Sequence, residues 1–177
     1  TYILYLSGAK IAGYSLKPKN KYDNFWLLNL ENKIENSFGD VRDEKNLSKK
    51  INKFKPQIIF HLAAQPLVKE SYSSPKFTFT TNLIGTLNVL EIVKNTKSIK
   101  SAIIVTSDKC YKNYEKKEGY SEGDELGGED PYSASKAAAE NIFFSDQNSF
   151  FKKKKKIGLA SVRAGNVIGG GDWSNDR

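Results

Sequence analysis

No methionine occurs among the 177 residues, and there is a single cysteine and a single histidine. The lone Cys110 excludes an internal disulfide and fits a reducing, cytoplasmic setting. Together with the lone His61 it argues against a zinc site built from protein ligands, so no metal is expected. No apolar run is long enough to span a membrane. No basic-then-apolar segment opens the chain as a secretory leader would. The absence of methionine extends to position 1, and the opening "TYILYLSGAK" reads as the tail of a helix. The chain is therefore expected to be a piece of a longer protein.

What is present is a globular composition, 38% hydrophobic and 27% charged, with length enough for one domain with a core. The formal net charge of +8 raises nucleic acid as a partner. Much of that charge is local, in the unbroken lysine run Lys152 to Lys156, which is expected as a solvated loop. Aromatic residues are not interleaved with the run as a stacking platform requires. A diffuse positive field also helps to recruit an anionic small molecule.

Helical and extended patterns alternate along the chain. Residues 1–7 continue a helical apolar pattern that Gly8 fits as a cap. Strands are expected at Lys10 to Leu16, around "NSFGDV", at "QIIFHLAA", at Ser101 to Asp108 and at Ile157 to Gly165. A short helix is expected in "FWLLNLENKI". A polar amphipathic helix follows Asp43, a long one starts near Pro75, and another carries Tyr132. "QIIFHLAA" reads as a strand buried on both faces. The alternation predicts a doubly wound α/β fold with a parallel sheet covered on both sides. Ligands in such folds bind beyond the carboxyl ends of the strands. "HLAAQ", "TSDKCY" and "RAGNVIGGG" all fall at those ends.

"DPYSASKAAAE" places Tyr132 and Lys136 four residues apart in a helix, so they project from one face. A cation beside a phenol favours the phenolate, making a base of a side chain that ordinarily keeps its proton at pH 7. Alone, Tyr-x-x-x-Lys is a weak pattern. Its position after a strand end, beside two other strand-end clusters, is what points to a site.

"HLAAQ", "VTSDKCY", "YSASK" and "SVRAGNVIGGGDW" together resemble the extended short-chain dehydrogenase/reductase superfamily, the NAD-dependent epimerases and dehydratases. Within it they resemble the CDP-glucose 4,6-dehydratases, over nearly all of residues 1–177. The resemblance implies a Rossmann-like domain that here lacks its first strand and glycine-rich loop. Residues 1–177 are then a partial NAD-binding domain, with the substrate-binding part largely absent after about residue 170. In the strand order 3-2-1-4-5-6 the absent strand is central, leaving two inner edges unpaired. Residues 1–177 alone are expected to be poorly stable and to bind NAD weakly or not at all.

The implied reaction converts CDP-glucose to a 4-keto-6-deoxy sugar, in deoxysugar and O-antigen-type polysaccharide biosynthesis. It proceeds by transient oxidation at C4 by NAD, loss of water across C5 and C6, and hydride return to C6. The resemblance makes Tyr132 the base for the C4 hydroxyl, with Lys136 supporting it and holding the nicotinamide ribose. Ser107 holds the same C4 oxygen, Asp108 is the acid for the C6 hydroxyl, and Lys109 is the base at C5. The related dTDP-glucose enzymes carry glutamate in place of Lys109. These jobs need Asp108 protonated and Lys109 deprotonated near pH 7, and burial would move both that way.

For NAD, the resemblance places Asp40 and Val41 at the adenine edge and Leu62, Ala63 and Ala64 along a small-residue wall. Gln65 extends that wall, and Thr81 and Asn82 line the same trough. Asn166 is placed on the nucleotide sugar and Arg177 on its pyrophosphate, and a homodimer is implied through the helices of Pro75 and Tyr132. Cys110 and His61 read as packing residues.

One departure concerns the acid that NAD-selective folds place after the second strand. Here "GYSLKP" offers Ser15 and Lys17, which on the residues alone tolerates NADP, while the resemblance implies NAD. Two alternatives stay open. One is a nucleotide-sugar epimerase or reductase of the same superfamily, which would not need Asp108 and Lys109. The other is a basic nucleic-acid-binding protein that retains a Rossmann fold.

Overall fold

The computed structural model describes residues 1–152, 157–171 and 173. In chain order it contains α1 (Tyr2–Leu6), β1 (Ala12–Ser15), α2 (Asn24–Leu27), β2 (Glu35–Phe38), α3 (Glu44–Phe54) and β3 (Ile58–His61). Then come α4 (Val68–Ser73), α5 (Pro75–Phe79), α6 (Gly85–Asn95), β4 (Ser101–Val105), α7 (Pro131–Asp146) and β5 (Gly158–Val162). A π-helical turn, Thr80–Ile84, joins α5 to α6, and a second, Gln147–Phe151, extends α7.

Side chains set the helix ends. The Asp43 carboxylate accepts the Asn46 amide at 3.1 Å and so caps α3. That helix stops at Lys55, in the left-handed region with φ 55°, just before Pro56. Asp130 accepts the Ser133 amide at 3.0 Å, and Pro131 sits in the first turn of α7. A β-carbon on Gly85 would meet Val41 Cγ1 at 2.6 Å, so only glycine lets α6 begin this close to the loop beyond β2.

All the strand pairs are parallel. β1 pairs β2 with Ala12 opposite Glu35. β3, β4 and β5 form a second sheet, with Ile58 opposite Ser101 and Ser101 opposite Gly158. Among the described residues no strand joins β1 to β3. The parallel α/β, Rossmann-like class expected from the sequence is thus present as two sheets.

The core lies on one face of the larger sheet. Val89, Leu90 and Val93 of α6, Phe143 of α7 and Phe151 pack against Ala102 and Ile104 of β4. Cover on both faces, expected from the apolar strands, is not found among the described residues. On β3, Ile59 packs against the core and His61 is buried, while Ile58 and Phe60 point away and are 53% and 46% exposed.

A second difference is α4, in a segment expected as loop. Its start is fixed from outside the helix, by the Gln65 side chain, which donates to the Leu67 carbonyl at 3.0 Å and accepts the Leu67 amide. The strands are also shorter than expected, because pairing ends before the loops that carry the polar residues.

Candidate active site

The face of α7 predicted from spacing is present. Tyr132 and Lys136 are both buried, with Lys136 Nζ 6.0 Å from the Tyr132 ring centroid. Burial lowers the Lys136 pKa to about 8, against smaller opposing effects of Cys110 and Glu140. Among the described residues no hydrogen bond reaches Lys136 Nζ or the Tyr132 hydroxyl.

Two buried polar side chains, Asn82 and Ser135, tie together the segments around this pair. Asn82, on the π turn, accepts the Gln65 amide at 2.8 Å and donates to the Gln65 carbonyl at 3.1 Å and to Ser135 Oγ at 2.8 Å. Ser135 in turn donates to the Tyr132 carbonyl at 2.7 Å. The loop after β3, the π turn and α7 are therefore pinned by one buried amide. π turns are frequent at functional sites because they re-aim side chains without ending the helix.

His61, at the end of β3, lies 3.1 Å through Nε2 from Thr86 Oγ1. Thr86 gives its only hydrogen to the Asn82 carbonyl at 2.7 Å, so His61 Nε2 carries a proton and donates it. Burial, and secondarily the Lys136 charge, lowers the His61 pKa to about 4, leaving the ring neutral at pH 7.

Ser107, Asp108 and Lys109 follow β4 and pack on α7. The buried Ser107 hydroxyl donates to Asp108 Oδ1 at 3.1 Å and accepts the Lys109 amide at 3.2 Å. Asp108 Oδ2 and Lys109 Nζ are 3.9 Å apart, with side chains 45% and 53% exposed. The burial expected to discharge this pair is not found among the described residues. Both line a cavity of about 910 Å³ with Tyr111, Tyr120, Asp130, Ser133 and Arg163, and Tyr132 and Lys136 lie outside its wall.

Of the two residues assigned to the adenine edge, Asp40 lines a separate cavity of about 890 Å³ with Arg42, Pro75, Phe77 and Ile84, and Val41 lies outside its wall. Asp40 is held there by Arg42, whose Nε and a terminal nitrogen bond its two oxygens at 2.9 and 2.6 Å. These bonds hold the Asp40 carboxyl below its ordinary pKa. The Arg42 guanidinium lies 4.8 Å over the Phe77 ring, and Val41 is buried. Leu62 and Ala63 are exposed after β3, and Ala64 is half-buried. The Gln65 side chain is turned into the fold, its amide donating to Thr78 Oγ1 at 2.8 Å. Thr81 Oγ1 is buried without a hydrogen-bond partner among the described residues. Asn166 is exposed on the loop beyond β5. Arg177 and most of the lysine run lie outside the described residues. Cys110 is fully buried, and burial raises its thiol pKa to about 11, as suits a packing residue.

Sequence reasoning missed a charged pair beneath the site. Glu140 follows Lys136 by one turn of α7. It accepts Arg163 at 2.8 Å and Ser161 Oγ at 3.1 Å, and also the Thr106 hydroxyl. The signal was available in part, since Tyr132, Lys136 and Glu140 share one i, i+4 face.

Comparison with known proteins places the molecule. Residues 14–151 match the family model described as GDP-mannose 4,6 dehydratase, and the chain belongs to that family. It is similar to CDP-glucose 4,6-dehydratase of Salmonella typhimurium, 48% identical over 96% of this chain and 48% of that protein. CDP-paratose 2-epimerase of Salmonella typhi is 33% identical over 71% of this chain and 42% of that protein. The chain thus spans about half the length of the curated relatives it matches.

Among solved structures, UDP-glucose 4-epimerase of Thermotoga maritima superposes with a TM-score of 0.77 at 21% identity, over 95% of this chain and 51% of that one. dTDP-glucose 4,6-dehydratase of Streptomyces venezuelae, solved with NAD bound, superposes with a TM-score of 0.74 at 19% identity. It matches 92% of this chain and 50% of that one. At these identities the likeness is one of fold.

Proposed function

We propose that this chain is the dinucleotide-binding part of an NAD-dependent sugar-nucleotide 4,6-dehydratase acting on CDP-glucose. The observation that carries the reading is the packing of the Ser107–Asp108–Lys109 turn on the helix that presents Tyr132 and Lys136. An epimerase or a reductase of this fold has use for the tyrosine and lysine alone. The similarity to the Salmonella typhimurium dehydratase supports the substrate.

The residues present fit NAD. Lys136 Nζ is a buried donor without a hydrogen-bond partner among the described residues, and Thr81 Oγ1 is a buried hydroxyl in the same condition. NAD bound there supplies a hydride acceptor for C4 and a donor for C6. Lys136 would hold the nicotinamide ribose, the alanines after β3 would leave room for the adenosine, and the Asp40–Arg42 pair would border the adenine.

The chain's own groups then move protons. Tyr132 takes the proton of the C4 hydroxyl while Ser107 swings its hydrogen from Asp108 to the same oxygen. The C4 ketone acidifies the C5 proton, which Lys109 removes. Asp108 protonates the departing C6 hydroxyl, a poor leaving group without an acid. For this the half-exposed pair has to be covered when substrate binds, since removal of water is what disfavours charge on both.

On this reading the enzyme works in the cytoplasm, in keeping with one buried thiol, and as a homodimer through the helix of Pro75, which runs from α5 into α6, and through α7. Exposed Ile84 lies on the π turn that leads from α5 into α6, and exposed Phe144 lies on α7. No described helix is long and apolar enough to cross a membrane. The test is to incubate the intact protein with CDP-glucose and NAD and follow the alkaline absorbance of a 4-keto sugar. Its absence, with a C4 or C2 epimer formed instead, selects the epimerase.

A further inference from the structure

We propose that Arg163 is a positioning residue that locks the Asp108–Lys109 turn against α7, so that oxidation and elimination act on one bound hexose. The inference rests on the dehydratase reading above and concerns a residue outside the reacting set.

Arg163 leaves the end of β5 and reaches three parts of the molecule. One terminal nitrogen donates to Glu140 Oε2 on α7 at 2.8 Å. The other donates to the Tyr111 hydroxyl at 3.0 Å and to the Glu122 carbonyl at 3.2 Å. The guanidinium also lies 4.9 Å over the Tyr111 ring, which stacks on Tyr120 at 5.2 Å. Burial works against the Arg163 charge, and the bonds from Glu140 and Tyr111 outweigh it, so the pKa stands above its ordinary value.

What these contacts hold is the segment that follows the acid–base turn. Tyr111 bridges Leu126, with the Lys112 amide on the Glu125 carbonyl at 2.9 Å and the Gly127 amide on the Cys110 carbonyl at 2.9 Å. The Asp108 amide bonds the carbonyl of Ala164, next to Arg163, at 3.0 Å. Asp108 and Lys109 are therefore tied on one side to Ala164 and on the other, through Tyr111, to the Arg163 guanidinium, which is itself tied through Glu140 to the turn of helix after Lys136. Glu140 is itself fixed by Thr106 and Ser161, so α7, β4 and β5 share one anchor.

Lysine can keep one ion pair but not the fork that reaches Glu140, Tyr111 and Glu122 together. Arg163→Met alone leaves Glu140 buried without its cation, so the deciding variant is Arg163→Met with Glu140→Gln, in the intact protein. We expect it to form reduced nicotinamide on CDP-glucose at close to the wild-type rate. Its yield of 4-keto-6-deoxy product falls about 100-fold, the scale of a 1 Å misplacement. Amide hydrogen exchange at Lys112 and Gly127 accelerates while that of α7 stays, and Arg163→Lys falls between. Proportional loss of both steps, or undiminished product, overturns the proposal. If wild-type protein leaves CDP-glucose unchanged, the dehydratase reading falls instead. The exchange measurement then still decides, because unchanged protection of Lys112 and Gly127 refutes a positioning role.

Discussion

Lys136 Nζ stands 6.0 Å from the centroid of the Tyr132 ring, one turn along the same helix, with no hydrogen bond from the described residues. A buried ammonium left without an acceptor is costly to keep. Burial lowers its pKa to about 8, which reflects that cost and gives it a pH window. The folded value lies below the unfolded value of 10.5, so the folded state releases its proton first. The cost is complete below pH 8 and is relieved as pH rises to 10.5. At 1.36 kcal/mol per pKa unit it is on the order of 3 kcal/mol. Lys136→Met should therefore stabilise the cofactor-free protein by up to that amount at pH 7. Denaturant titrations will show the gain fading toward pH 10.5. The same variant should lose C4 oxidation by about 100-fold or more, as for a lost acid–base partner.

Asp108 and Lys109 divide the reaction. Lys109→Ala and Asp108→Asn are expected to oxidise C4 and then stall, so reduced nicotinamide builds up without the 4-keto-6-deoxy product. Each should lower product formation by about 100- to 10,000-fold, the usual scale of general acid–base catalysis. Rapid mixing with absorbance detection of the nicotinamide reads the outcome. Unchanged product from either variant removes that residue from its role.

His61 gives an acid limit. Its folded pKa of about 4 lies below the ordinary 6.5, so its contribution is complete above pH 6.5 and is lost as pH falls toward 4. The loss is on the order of 3 kcal/mol at 1.36 kcal/mol per unit. His61→Gln should flatten stability between pH 6.5 and 4, as read by urea midpoints, at the cost of the Thr86 bond at neutral pH.

The polypeptide of residues 1–177, made alone, should melt broadly and bind NAD poorly. Its two sheets share no strand pairing among the described residues, and Ile58 and Phe60 stay in water. Each, about half exposed, forgoes roughly half of the about 1.5–3 kcal/mol that full burial contributes, still a sizeable share of a domain's net stability. Circular dichroism melting and NAD titration check this, and a sharp transition with tight binding contradicts it.

The parts legible in the sequence are those written in short-range chemistry. Asp130 and Pro131 mark the start of α7, Tyr132 and Lys136 share a face by spacing alone, and Asp43 announces α3. The elements that stayed hidden depend on partners far along the chain. α4 is started by the Gln65 side chain, not by its own pattern. The Glu140–Arg163 pair needs α7 to lie beside the end of β5, which brings positions 23 residues apart together. The exposed face of β3 looks buried in sequence because Ile58 and Phe60 are apolar whether or not anything covers them. For Asp108 and Lys109 the sequence supplied identity and place, and burial was inferred from chemistry the described residues do not enforce.

The central claim is that one hexose is oxidised at C4 and reduced at C6 within one site. CDP-glucose carrying deuterium at C4 tests it most directly, with the intact protein, NAD and ordinary water. The account predicts a 4-keto-6-deoxy product with the deuterium on C6 and a solvent hydrogen at C5. Deuterium returned to C4, or a product with its C6 hydroxyl intact, would contradict it.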